Sequence, residues 1–284
     1  MTPVTQPLPN APAPAPDKIG VLLRAGLFVL IGWLGWILFP IILFPIAGIM
    51  VTSALSGFAS AAVANTIAVR VYERGRLSDI GLGWADTSLR EFLTGTGSGI
   101  AGVVVVVGAP FAAGIVRFEP APGVEHPWAS FAFVSVVLLF GAAGEELLFH
   151  GYAFQLLTRS VGAFATLLPS SVLFGLAHMG NQNVTSLGVL NTIAWGGLLG
   201  YAYLRTNALW LPIGLHFGWN FALPLFGVNL SGFTMGVTGY ALRWRVGTLW
   251  SGGNYGPEGS VLTTVIVIAL FVGVLRVFRD PDEV

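Results

Sequence analysis

Two acids stand side by side, Glu145 and Glu146, inside the apolar stretch FGAAGEELLFHGYAF. A carboxylate at membrane depth is expensive, so its presence points to function before it points to packing. Adjacent helix residues point about 100° apart, so one acid can face a cavity while the other pairs with a neighbouring helix. The small residues Gly141, Ala142, Ala143 and Gly144 just before them allow close helix approach. His178 lies in SSVLFGLAHMGN, and His216 and Asn220 lie four apart in LPIGLHFGWN, on one helix face. His150 follows Glu146 by one helical turn and shares its face. This set can activate a water: a carboxylate takes its proton, an imidazole orients it, and His and Asn donors hold the developing negative charge. Glu145, His178 and His216 are also good ligands for a divalent metal such as zinc. The helical zinc-protease signature H-E-x-x-H is absent, and spacing alone leaves both chemistries open.

The elements that must carry these residues are membrane helices. The chain has 284 residues and only 26 charged ones, 13 Lys+Arg and 13 Asp+Glu. At 9% charged, against roughly 25% in a soluble domain, it could not cover a soluble surface. The net charge of +0 leaves no basic patch for phosphates, so nucleic acid is excluded as a partner. Cys is absent, which removes disulfides, thiolate metal sites and a Cys nucleophile.

The charges punctuate apolar stretches, and a helix needs about 20 apolar residues to cross the hydrocarbon. Two spans fit between Arg24 and Arg70, one between Glu91 and Arg117, and one from His126 to Arg159. Two more fit between Arg159 and Arg205, one in 206–242 and one in 259–275. The fold class is all-α, a polytopic membrane helical bundle of about eight transmembrane helices. Pro40 and Pro45 predict a kink or a short re-entrant piece in the first span. Residues 1–18 read as a disordered Pro/Ala-rich tail and 19–284 as a single transmembrane domain, with a catalytic core over about 130–226. With the N-terminus in the cytoplasm, ten cations fall inside and three, Arg117, Arg243 and Arg245, outside. Both termini are then cytoplasmic, and 227–258 is an external loop. His126, in the loop before the fourth span, reads as solvated. Counted from the cytoplasmic ends, Glu145, His178 and His216 lie about 18, 25 and 13 Å deep, close enough to meet in one cavity.

At these residues the sequence resembles the CAAX prenyl protease and bacteriocin-processing family (CPBP, or Abi) of intramembrane proteases. The motifs E-E-x-x-x-R, F-x-x-x-H and H-x-x-x-N read here as EELLFH (Glu145 to His150), FGLAH (Phe174 to His178) and HFGWN (His216 to Asn220). The flanks FHGYAFQLLTRSVG and NALWLPIGLHFGWN are similar as well. The resemblance implies a peptidase whose site opens toward the cytoplasm, commonly labelled a metalloprotease. It implies Glu145 as general base, His178 helping to activate the water, and His216 and Asn220 as oxyanion-side donors. Glu146 becomes a supporting acid. The departure is His150, where the family carries Arg. An Arg is a permanent counter-charge, whereas a His makes the pair with Glu146 responsive to pH, so His150 is read as a tuning residue.

The expected function is hydrolysis of peptide bonds in a bacterial inner membrane, on a peptide or membrane-protein substrate, with the lipid bilayer as surroundings. The alternative is a catalytically silent scaffold or bacteriocin-immunity protein on the same fold. A proton-coupled transporter is disfavoured by the lack of an inverted repeat and by the clustering of polar residues in the second half.

Overall fold

The computed structural model describes residues 17–121, 123 and 127–278. Most of the expected tail, residues 1–16, lies outside the described residues, as does His126. Asp17 caps the first helix by accepting from the Gly20 amide at 2.8 Å. That helix, α1 (Lys18–Ala68), is a hairpin of two arms meeting at Gly48, which has φ 70° and ψ 172°. The reversal follows Pro45 by three residues, where the lost amide donor already weakens the helix. Close approach of the arms proves the reversal. A Cβ on Gly35 would lie 2.7 Å from the Ser60 hydroxyl, and one on Gly32 would lie 4.0 Å from the Ala64 Cβ. At the open end of the hairpin Arg24 pairs with Glu73 at 3.1 Å. The 45 uncharged residues thus give two antiparallel segments, as their length predicts.

A connection with a one-turn helix at Leu77–Ile80 leads to α2 (Ser88–Ala112). There the Arg76 amide and the Ser78 hydroxyl donate to Asp79 and hold its carboxyl below the usual range. Next come α3 (Pro127–Phe149), α4 (Tyr152–Val161), α5 (Ala163–Ala177), α6 (Ser186–Thr206) and α7 (Trp210–Leu225), then one turn, α8 (Thr248–Ser251), and α9 (Val261–Val277). Lys18–Glu73, Ser88–Ala112, Trp128–Val161 and Ser186–Thr206 are long and apolar enough to cross a membrane, while Ala163–Ala177 and Val261–Val277 are shorter apolar helices. The protein is an all-α polytopic membrane bundle.

Two features depart from the sequence reading. The stretch from His126 to Arg159 is broken at His150–Gly151 into α3 and the short α4, whose apolar residues fall on one face. The segment after α7 is more than a loop. It supplies β2 (Tyr240–Trp244), which pairs antiparallel with β1 (Val116–Pro120), Val116 opposite Trp244. These strands are short and lie between helices, so the apolar periodicity that marks the spans gives no sign of them.

The closest helix pair is α2 with α7, and it explains four glycines. A Cβ on Gly95 or Gly99 would strike the α7 backbone at Leu211, Leu215 and Trp219. One on Gly214 or Gly218 would strike the carbonyls of Phe92 and Thr96. Two facing Gly-x-x-x-Gly pairs let the backbones touch, as small residues do between membrane helices. This contact fixes the helix that carries His216. Gly218→Leu is therefore expected to lower the midpoint of thermal unfolding in detergent by several degrees, since overpacking costs about 1–3 kcal/mol or more. Gly97→Leu, at a position with nothing within 4 Å, should leave it unchanged. Equal midpoints for the two variants would contradict this packing.

Candidate active site

The break after α3 is built by a residue far away in sequence. Asn65, fully buried on the second arm of α1, donates Nδ2–H to the Leu147 carbonyl at 2.8 Å and accepts the Tyr152 amide on Oδ1 at 2.8 Å. It satisfies a carbonyl left over at the end of one helix and an amide left over at the start of the next. Gly151 is required beside it, because a Cβ there would strike the Leu147 carbonyl and the Asn65 carboxamide. Gln155 adds a donor to the His150 carbonyl at 3.1 Å. With α3 ending at Phe149, Glu145 stands one turn from the end of its helix.

The two acids diverge as adjacent helix residues must. Glu146 is fully buried and lies behind the cavity. Its Oε2 meets His150 Nδ1 at 2.7 Å, and its Oε1 meets His216 Nδ1 at 2.8 Å. Both partners face an acceptor-only carboxylate, so both carry their proton on Nδ1. Glu145 faces the cavity. Its Oε2 lies 3.4 Å from His178 Nε2 and 3.8 Å from His216 Nε2, neither a tight hydrogen bond.

His178 owes its place to the end of α5. It caps that helix, and its Nδ1 lies 2.7 Å from the Phe174 carbonyl, one of the carbonyls the helix end leaves unpaired. The Phe174 ring sits among three imidazoles, 4.8 Å from His178, 6.0 Å from His216 and 6.5 Å from His150 by ring centroids. Asn220, one turn beyond His216, lines the cavity with His216, His178 and Glu145. The structure therefore gathers Glu145, His178, His216 and Asn220 at one cavity and puts Glu146 and His150 in the wall behind it.

The cavity has a volume of about 420 Å³. From Glu145 its lining runs along α3 past Gly141 to Val137, and along α1 past Ser53 to Ile49 beside the Gly48 turn. It thus extends toward the end of the bundle opposite the one where the described chain begins and ends. Four contributors fall outside the expected core of 130–226: Trp36 on the first arm of α1, the second arm of α1, residues 230–235, and Glu258. Glu258 is a further acid at the cavity, buried in its wall, that the sequence reading passed over. It sits in a Gly- and Asn-rich segment with no apolar periodicity to announce burial.

The donor types at the cavity fit a divalent metal. His178 and His216 are tied through Nδ1 to a carbonyl and a carboxylate, which leaves each Nε2 free toward Glu145, the usual outer support of a metal-bound imidazole. Among the described residues, no group of three or more His, Cys, Asp and Glu is arranged as a metal site.

Residues 127–222 match the family model described as type II CAAX prenyl endopeptidase Rce1-like. This segment begins with α3, ends within α7 and holds all three motifs. Over this third of the chain the sequence is similar to that family, in agreement with the family that the motifs resemble. No curated protein matches the chain.

Asn65 gives the test of this construction. Asn65→Ala leaves the Leu147 carbonyl and the Tyr152 amide unpaired, at about 1–3 kcal/mol for each buried group. The variant should unfold at markedly lower temperature and lose turnover. Wild-type stability in Asn65→Ala would show that the break stands without it.

Proposed function

We propose that the protein is an intramembrane endopeptidase in which Glu145 is the general base for a water bound between it and His178. The observation that carries this reading is the convergence of Glu145 with two imidazoles whose Nδ1 atoms are already committed elsewhere. Each Nε2 is then directed at the place where a water would sit. Glu145 accepts the water's proton as the oxygen attacks the scissile carbonyl carbon, and returns it to the leaving amine. Asn220 donates an amide hydrogen to the oxyanion, joined by His216 when its Nε2 is protonated. Glu146 touches no substrate. It holds the His216 ring in one orientation, and His150 secures Glu146 from behind. If a divalent ion such as zinc is bound, Glu145, His178 and His216 would hold it, and it would supply Lewis-acid activation of the water.

The substrate is a peptide or membrane protein, in a bacterial inner membrane. Trp36 and Ile49, which line the cavity, are also exposed on the outer face of the bundle. A segment lying in the bilayer can follow this lining to Glu145. The site itself sits in the cytoplasmic half if the cation-rich end is cytoplasmic. Lys18, Arg24, Arg70, Arg74, Arg76, Arg90, Arg159, Arg205 and Arg276 lie at or near that end, and Arg117, Arg243 and Arg245 at the other. A reporter fused at residue 240 should then read as external, and a cytoplasmic signal would reverse this orientation.

Purified protein tested on a peptide panel decides the chemistry. Glu145→Ala, His178→Ala and His216→Ala should each lose at least about 10²-fold in rate, with double variants little worse than singles because the groups act as a unit. Chelation followed by zinc readdition, in the same assay, separates metal-held from directly activated water. Cleavage retained in Glu145→Ala would remove it as the base. A wild-type protein that cuts nothing would favour the silent scaffold, the reading that His150 in the family's Arg position supports.

A further inference from the structure

Glu258 is not part of any motif, yet it is buried in the wall of the reaction cavity. Its surroundings tie together three parts of the chain. Oε1 accepts from Trp219 Nε1–H at 3.3 Å, and Trp219 directly precedes Asn220 on α7. Oε2 accepts from the Ser231 backbone amide and from the Ser231 hydroxyl, the latter at 3.1 Å. The Glu258 carbonyl in turn accepts from Asn191 Nδ2 on α6 at 2.7 Å, and Asn191 Oδ1 accepts from Thr264 on α9 at 2.7 Å.

The residues that meet this carboxylate are shaped to do so. Ser231 has φ 49°, a left-handed conformation that costs a non-glycine residue energy, and Gly232 follows at φ 87°. The Gly232 amide donates to the Tyr255 carbonyl at 2.8 Å, which binds the same turn to the segment carrying Glu258. Immediately beyond, Phe233, Thr234 and Met235 join the cavity lining. The turn at 231–232 is therefore held by an acid 27 positions further along, and it aims the next residues at the space beside Glu145.

We infer that Glu258 is a positioning residue: it clamps residues 230–235 as a substrate-binding wall onto the α7 face that carries His216 and Asn220. The wall is apolar at Leu230, Phe233 and Met235, so it fits apolar side chains of a peptide flanking the scissile bond. This inference rests on the peptidase reading for its substrate, but the clamp itself does not.

In Glu258→Gln one carboxylate oxygen becomes an NH₂ group. The position is met by donors on both sides, from Trp219 and Ser231, so the amide must turn a donor toward one of them. The wall should loosen while Glu145, His178 and His216 stay in place. The expected result is a rise in KM of about tenfold for peptides with large apolar residues beside the cleaved bond, with kcat changed by less than about threefold. Glu258→Asp, which keeps both acceptors on a shorter stem, should recover part of the loss. Amide hydrogen exchange over 229–235 should quicken in Glu258→Gln, with exchange in α3 and α7 unaltered. This second readout needs no turnover. If the wild type cuts no peptide, the peptidase reading falls and exchange still decides the clamp. If Glu258→Gln does not fold, Trp219→Phe and Ser231→Gly each remove one donor, and faster exchange over 229–235 is expected in both. Unchanged exchange in the variants that fold, or a loss of kcat with KM unaltered, would overturn the inference.

Discussion

One buried carboxylate organises the site. Glu146 is shut away from solvent and accepts an N–H from His216 on one oxygen and from His150 on the other. An unpaired carboxylate in that place would be prohibitively costly, so the two imidazoles are conditions of its presence. The geometry of the cavity follows from that requirement. Because His216 must turn Nδ1 back to Glu146, its Nε2 faces forward to Glu145. Because adjacent helix residues diverge, Glu145 emerges on the other side of α3 as the acid at the cavity. On the proposed mechanism, a pair that looks redundant in sequence divides its labour between a reacting group and its support.

The rest of the fold keeps this arrangement in register. Asn65 sets where α3 stops, which fixes the height of both acids. Facing glycines bring α2 and α7 into backbone contact, which fixes the height of His216. The end of α5 supplies a spare carbonyl that turns His178. None of these supports is an ionised residue. Each satisfies backbone groups or removes a side chain, which is how polar chemistry is held in an apolar medium without adding charge to it.

The polar residues that meet at the cavity were legible because charge is so scarce in this chain. Glu145, Glu146, His178, His216 and Asn220 stand out against apolar surroundings, and the charge punctuation located the helices that carry them. The i,i+4 pairing of Glu146 with His150 was legible from spacing, and the structure shows it at 2.7 Å. What the sequence could not carry was contact between distant segments. Asn65 looks like an ordinary polar residue in a span, and only its partners 82 and 87 positions away explain it. Glu258 sits among glycines, asparagine and tyrosine, where no periodicity signals burial. The expected external loop of 227–258 likewise hid a strand and a cavity wall, because short irregular segments folded onto a bundle leave no hydrophobic rhythm.

The division of labour between the two acids can be read directly from the protons on the imidazoles. The chain has four histidines, so labelling them with ¹⁵N in bilayer-reconstituted protein gives a spectrum simple enough to assign. The account predicts that His150, His178 and His216 all carry a proton on Nδ1, and that Glu146→Gln perturbs the His150 and His216 signals while leaving His178 in place. A His216 whose Nδ1 is bare while Nε2 is protonated would contradict it, since Glu146 would then be a donor and could not be the anion on which the site is built.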